Sequence, residues 1–226
     1  MLQLAPNPLA RAPARTIDVR MSKPGAFVHI VDDDESTREA LQGLLRSVGL
    51  ASRAHASVDE FLAAPRADCP GCLVLDVRLP GTSGLDLQAR LSGLGIHFPV
   101  ILITGHGDIS MSVRGMKAGA VDFLVKPFRE QDVLDAIAIA LDRDRTRRAA
   151  ETANRNLKDR FASLSPREQQ VMGLVAAGKM NKQVAGDLGL SEITVKIHRG
   201  SAMRKMQART LADLVRMAEA LGLSAG

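Results

Sequence analysis

Carboxylates, a hydroxyl and an ammonium recur at one kind of position in this chain, the point where a short apolar run ends. Phe27–Val31 runs into Asp32-Asp33-Asp34, Cys72–Leu75 into Asp76, Pro99–Ile103 into Thr104, and Val121–Val125 into Lys126-Pro127. Several carboxylates brought to one point repel each other unless a cation or a proton joins them. An all-oxygen donor set with room for waters suits Mg²⁺ better than Zn²⁺. A hydroxyl and an ammonium beside such an ion can hold the oxygens of a phosphoryl group. One of the acids can then act as nucleophile and form an acyl phosphate, with the cation offsetting the accumulating charge. Acids at strand ends also cap helices, and Asp34 or Ser36 fits that simpler role. Asp, Asp, Thr and Lys at four separate strand ends exceed what capping requires.

For these side chains to meet, the elements carrying them must lie side by side. Between the apolar runs stand segments with a helical period. Leu41, Leu44, Leu45 and Val48 mark one over Ser36–Val48, followed by a weaker strand at 50–55 and a short helix over Val58–Ala63. Leu85–Leu94, Ile109–Ala118 and residues 130–142 complete the set. Five strand–helix units imply an α/β fold with a doubly wound, five-stranded parallel sheet covered on both faces. Such a sheet places its site at the C-terminal strand ends, near the point where strand order reverses.

Beyond residue 142 the character changes. Residues 143–162 hold seven basic and three acidic side chains and no apolar stripe, which predicts a solvated helical linker with a hinge near Ala162-Ser163. Residues 163–226 read as a small all-α, four-helix domain. Ser165-Pro166-Arg167-Glu168 is a capping box with proline at the first helical position. Asn181–Leu188 is a second helix stopped by Gly189, Ser191 caps a third that reaches about Met206, and Thr210–Leu221 is a fourth. Residues 1–24 carry four prolines and no periodicity, which predicts a disordered arm, with Met21 as an alternative translation start.

Residues 26–145 resemble the receiver domain of two-component response regulators. The likeness rests on Val31-Asp32-Asp33-Asp34-Glu35, Leu75-Asp76-Val77-Arg78-Leu79-Pro80-Gly81, Ile103-Thr104-Gly105-His106-Gly107 and Val125-Lys126-Pro127-Phe128. It implies Asp76 as phosphoacceptor and Asp32 and Asp33 as an acid pair for Mg²⁺, with Asp76 and the Arg78 backbone carbonyl as further ligands. It implies Thr104 and Lys126 on the phosphoryl oxygens, Phe123 as an aromatic switch, and a cis bond before Pro127. Residues 163–226 resemble the LuxR-type helix-turn-helix domain through Leu164-Ser165-Pro166-Arg167-Glu168, Val175–Lys182 and Leu190–Arg199. The order of the two is that of the NarL/FixJ-type regulators, closest to the FixJ branch.

Two short helices about Gly189-Leu190 form the turn, and the capped third helix can enter a major groove. Val195, Ala202 and Met206 should pack inward. Lys196 and Arg199 are placed to approach base edges and Ile197 to touch a thymine methyl, with Thr194 on the same helix. Lys182, Arg204 and Lys205 are placed for phosphates. The resemblance further implies a sensor histidine kinase as phosphoryl donor, double-stranded DNA and RNA polymerase as partners, a cytoplasmic location, and a homodimer formed on phosphorylation through residues 109–142.

Composition narrows the alternatives. Residues 25–142 hold 10 basic and 16 acidic side chains, net −6, whereas residues 163–226 hold 9 and 5, net +4, an acidic switch joined to a basic reader. The chain has no Trp and no Tyr, which argues against a row of aromatics stacking single-stranded bases. Two Cys build neither a disulfide framework nor a four-thiolate zinc site. Cys69-Pro-Gly-Cys72 reads as a turn and a buried strand residue, and its reduced thiols fit the cytosol. No apolar run approaches the roughly 20 residues that span a bilayer. His29, His55, His97 and His106 lack metal-ligand spacing, which predicts solvated or incidental roles. Two rival readings stay open. Asp32-x-Asp34-x-Ser36 with Thr104 and Lys126 loosely imitates a Mg²⁺-dependent phosphohydrolase of the haloacid-dehalogenase pattern. DNA binding independent of phosphorylation is the other.

Overall fold

The computed structural model describes residues 25–105 and 109–223. The N-terminal arm with its alternative start, and His106, lie outside the described residues. The chain divides into two compact units between Arg145 and Thr146.

In the first unit β1 (Phe27–Val31), β2 (Ala51–His55), β3 (Gly71–Asp76), β4 (Val100–Thr104) and β5 (Asp122–Val125) alternate with α1 (Glu35–Ser47), α2 (Val58–Ala63), α3 (Gly84–Leu91), α4 (Ile109–Lys117) and α5 (Glu130–Ala162). All neighbouring strands pair in parallel, in the order β2-β1-β3-β4-β5. The doubly wound parallel sheet expected from the alternation is therefore present. The inner strands β1, β3 and β4 are almost wholly buried and largely apolar because both faces are covered, whereas the edge strand β2 carries Ser52 and Arg53 and the edge strand β5 opens on Asp122. In β3, Cys72 and Val74 join one core with Ile30, Ile103, Leu45 and Ile137, while Leu73 and Leu75 join another with Leu102, Leu87 and Phe61. Each such fully buried aliphatic side chain contributes about 2 kcal/mol before entropy is subtracted.

Strand order reverses between β1 and β3, so the loops after these strands open a crevice there. Asp34 caps α1, its side chain accepting from the Ser36 N–H at 3.1 Å and the Thr37 hydroxyl at 2.7 Å. Gly84 opens α3 directly beneath the end of β3. A Cβ there would lie 2.1 Å from the Asp76 carbonyl oxygen, so glycine is required.

α5 runs unbroken through the charged segment to Ala162. Asp144, read from the sequence as part of a solvated linker, is fully buried and accepts a hydrogen bond from the Gly71 N–H at 2.9 Å. It thereby satisfies the first donor of β3. Leu157 and Phe161, one turn apart, pack against the core of the second unit, so a short apolar stripe exists where none was expected. That unit holds α6 (Pro166–Ala176), α7 (Asn181–Leu188), α8 (Glu192–Met206) and α9 (Leu211–Ala220). Its two small cores centre on Met172, Met206 and Leu214, and on Val171, Val184 and Val195. Among the described residues no helix is long and apolar enough to cross a membrane.

Two histidines depart from the solvated role expected of them. His29 and His55 are buried on neighbouring strands, with His29 Nδ1 3.2 Å from His55 Nε2. The rings of Phe27, Phe61 and Phe98 surround His29 at centroid distances of 5.0, 5.4 and 5.3 Å. Burial first, and then neighbouring charge including Arg53 and Arg66, pushes His29 down to about 3 and His55 down to about 4, with Glu60 opposing on His55. Such a pair bonds only while at least one ring is neutral. In the unfolded chain both imidazoles take protons near their ordinary 6.5, but in the folded chain only near 3 and 4. Stability is therefore full above that ordinary value and falls as pH drops toward the folded values. The urea midpoint of the first unit should fall between pH 7 and pH 5, and fall less in a His29→Leu/His55→Leu variant; equal slopes would show that the pair does not carry the effect.

Candidate functional site

The strand ends bring the acids together. Asp32 follows β1, Asp76 ends β3, and Lys126 follows β5 from two strands away. The Lys126 ammonium lies 2.7 Å from Asp32 Oδ2 and 2.7 Å from Asp76 Oδ2, a single cation shared by two buried carboxylates. The remaining oxygens are also engaged: the Asp34 N–H donates to Asp32 Oδ1 at 2.9 Å, and the Arg78 N–H to Asp76 Oδ1 at 2.8 Å. The Arg38 guanidinium donates to the carbonyls of Asp32 and Asp33, both at 2.8 Å, and fixes the β1–α1 loop. Burial raises the Asp32 carboxyl above its ordinary range, against the lowering effect of Lys126. Burial alone would lower the Lys126 ammonium, but its bonds to Asp32 and Asp76 outweigh that and raise it.

Asp33 is exposed beside this pair. Asp32, Asp33 and Asp76 each offer an oxygen, and these oxygens lie within 4.8 Å of one another. A hard, all-carboxylate set of this kind fits Mg²⁺, and a thiophilic metal finds no sulfur or imidazole in it. Thr104 is fully buried, and its carbonyl accepts from the Lys126 N–H at 2.8 Å, which anchors the lysine's backbone to β4. The Lys126–Pro127 bond is cis. Phe123 is half-buried and packs with Met111 against the core of Leu85 and Leu102. Beside the pocket an apolar cleft is lined by Ala40, Leu41 and Leu44 of α1 and by Phe128, with Lys126 at its edge. Cys69 and Cys72 are buried thiols not joined in a disulfide, and burial pushes the Cys72 thiol up to about 12, which fits a packing role and not a redox one.

The second unit supplies a different surface. Gly189 ends α7 in the left-handed region, φ 65°, and Ser191 caps α8 by accepting from the Thr194 N–H at 3.1 Å. The Thr194 hydroxyl pairs with Ser191 at 2.8 Å, so Thr194 serves the cap. Val195, Ala202 and Met206 are buried, as their spacing required. On the opposite face Lys196, Ile197, Gly200 and Arg204 are exposed, and Lys182 is exposed on α7. Ile193, which the sequence reading passed over, shares that face. Its place i,i+4 from Ile197 was the available signal. Arg199 lies at the flank and donates to Asn181 Oδ1 at 3.1 Å. Lys205 is not gathered with these groups. Its ammonium lies 2.7 Å from Glu168 Oε2, and Glu168 also closes the capping box of α6 on Ser165.

Residues 28–138 match the response regulator receiver domain, and residues 162–218 match the bacterial regulatory proteins of the luxR family. The chain is 61% identical over 200 residues to Nodulation protein W of Bradyrhizobium diazoefficiens, covering 88% of each. It is 44% identical over 197 residues to the transcriptional regulatory protein FixJ of Azorhizobium caulinodans, covering 87% of this chain and 93% of that one. The solved structure of the response regulator StyR superposes with a TM-score of 0.78 at 48% identity, covering 86% of this chain and 98% of that one.

The Lys205–Glu168 pair carries a testable consequence. The hydrogen bond from Lys205, then that from Ser201, holds the Glu168 carboxyl down to about 2 against an ordinary 4.5. The stability it adds is present above the ordinary value and lost as pH falls through the folded one. Lys205→Gln should destabilise the second unit by about 1 kcal/mol at pH 7, with the loss fading toward pH 2, as read by chemical denaturation. The salt slope of DNA binding should stay unchanged; a slope reduced by about one would put Lys205 on a phosphate instead.

Proposed function

We propose, for a chain that belongs to the NarL/FixJ-type response regulators, that Asp76 is the residue that accepts the phosphoryl group. The matched domains are a response regulator receiver and a luxR-family regulatory domain, and relatives named response regulator protein TodT and transcriptional regulatory protein FixJ are regulators by name, not enzymes. The phosphohydrolase reading falls with that membership, because it leaves the second domain without a role.

The observation that supports Asp76 is the sharing of Lys126. An Asp76 oxygen attacks the phosphorus of a phosphohistidine on the cognate sensor kinase. The P–N bond breaks, the histidine nitrogen keeps the electron pair and takes a proton, and an acyl phosphate forms. Lys126, already within hydrogen-bond reach of the acceptor carboxylate, follows the new negative charge onto the phosphoryl oxygens. Asp32, Asp33, Asp76 and the Arg78 carbonyl would hold Mg²⁺, which when bound offsets the charge gathering on the transferring group.

Thr104 and Phe123 then carry the change outward. The Thr104 hydroxyl turns toward the phosphoryl oxygens, and Phe123 moves into the space this vacates. The readout face is that of α4 and β5, where Val113, Met116 and Val125 stand exposed. Apolar side chains on a surface of this kind favour burial against a second copy. A homodimer so formed presents two α8 helices to half-sites about one helical turn apart on double-stranded DNA. Lys196, Ile197 and Arg199 approach base edges, Lys182 and Arg204 approach phosphates, and RNA polymerase is the next partner. The work is done in the cytoplasm, where the DNA is.

Asp76→Asn should abolish labelling by a ³²P-phosphorylated kinase or acetyl phosphate, while leaving the fold unchanged by circular dichroism. Undiminished labelling would refute Asp76. Operator affinity measured with and without the phosphoryl donor, at one stated salt concentration, should rise on phosphorylation; equal affinities would favour a regulator that binds DNA regardless of phosphorylation.

A further inference from the structure

Two exposed isoleucines on α8 have no role in binding DNA by charge. Ile193 is 71% exposed and Ile197 65%, one turn apart on the face opposite the buried Val195, Ala202 and Met206. β-branched side chains are mediocre helix formers, so helix propensity does not select them. Gly200 continues the same stripe. A Cβ at that position meets nothing within 4 Å, and the backbone there is helical, so neither packing nor conformation requires glycine. Glycine is the weakest helix former apart from proline. The outward strip of α8 is thus two apolar side chains followed by bare backbone, bordered by the exposed cations of Lys196 and Arg204.

We infer that this strip reads thymine. The inference rests on the DNA-binding reading above and deepens it to a base preference. Of the groups that base pairs show in the major groove, the C5-methyl of thymine is the one protruding apolar group, and the hydrogen-bond donors and acceptors make up most of the rest. An isoleucine has neither donor nor acceptor, so it gains from a thymine methyl and forfeits a bond at any other base edge. Ile193 and Ile197 lie about 6 Å apart along the helix axis, close to two base steps of about 3.4 Å each. They therefore seat on thymines one or two steps apart within a half-site. Gly200 lets the helix backbone close on the duplex at the next step. The bordering cations select a polyanion over an apolar protein groove.

The experiment takes the full chain with acetyl phosphate and selects sites from a random-sequence duplex library. The selected duplex is then remade with each thymine in turn replaced by deoxyuridine, which deletes only the methyl. Wild-type protein should lose about fourfold in affinity at one or two positions per half-site, the equivalent of one buried methyl. That loss should vanish in Ile193→Ala/Ile197→Ala, which keeps the helix because both residues are exposed and alanine is the better helix former. Gly200→Ala should raise Tm and weaken binding. Deoxyuridine that is neutral at every position, or equally costly in both proteins, would overturn the inference. So would a double variant that binds DNA as wild type but no longer activates RNA polymerase, which would assign the strip to a protein partner. Absence of salt-dependent binding to any duplex would overturn the DNA-binding reading itself.

Discussion

The ammonium of Lys126 is the constraint around which the receiver is arranged. A parallel sheet in the order β2-β1-β3-β4-β5 forces the ends of β1 and β3 to be neighbours, so Asp32 and Asp76 meet whatever their charges. Left alone, the two carboxylates would each drive the other toward protonation. Lys126 crosses from β5 and lies 2.7 Å from both, and its own backbone is tied to the Thr104 carbonyl. The ladder of short links around it has one purpose, to hold acids close without letting them collapse into a neutral pair: Arg38 on the β1–α1 loop, the Arg78 N–H on Asp76, Gly84 under the β3 end. On the reading proposed above, a phosphoryl group arriving at Asp76 would redistribute a cation that is already shared by two carboxylates. A local charge can in this way bias a whole face of the domain.

The sequence made the pocket legible because strand ends are punctuated by residue type. Apolar runs end in Asp, Asp, Thr and Lys, and a parallel sheet leaves little choice about where those ends go. The inward set on α8 was legible for a similar reason, since period alone places Val195, Ala202 and Met206 on one face. Pairings between distant segments that carry no periodic signature were not legible. Asp144 sits in a run of arginines and reads as a solvated acid, yet it is used to finish β3 through Gly71, 73 residues earlier. His29 and His55 look incidental until β1 and β2 are laid in register, where Val31 faces His55 and the two rings meet across the sheet. Lys205 has the spacing of a phosphate contact, but a buried carboxylate on α6 claims it first. In each case the chain places a polar group against a partner that is invisible along the sequence.

The charge asymmetry acquires a finer meaning. The acids of residues 25–142 are not a diffuse excess, since three of them converge at the pocket, and Asp144 of the adjoining charged segment completes a strand. The basic excess of the second unit is likewise divided. Lys205 is spent on Glu168, and Arg199 leans on Asn181, while Lys182, Lys196 and Arg204 stay open. Net charge therefore overstates the number of cations free to meet phosphates.

The two faces of α8 also set how the protein can diverge. Every inward residue is locked to a core, so substitutions there are removed by loss of folding. The outward strip touches no core, and at Gly200 even a new side chain meets empty space. Lineages can therefore exchange the outward residues one at a time without a stability penalty and be tested by selection on binding alone. The acidic pocket has less such freedom, because Asp32, Asp76 and Lys126 hold one another. Duplicated copies of this gene would keep a common input chemistry while drifting apart in the genes they address.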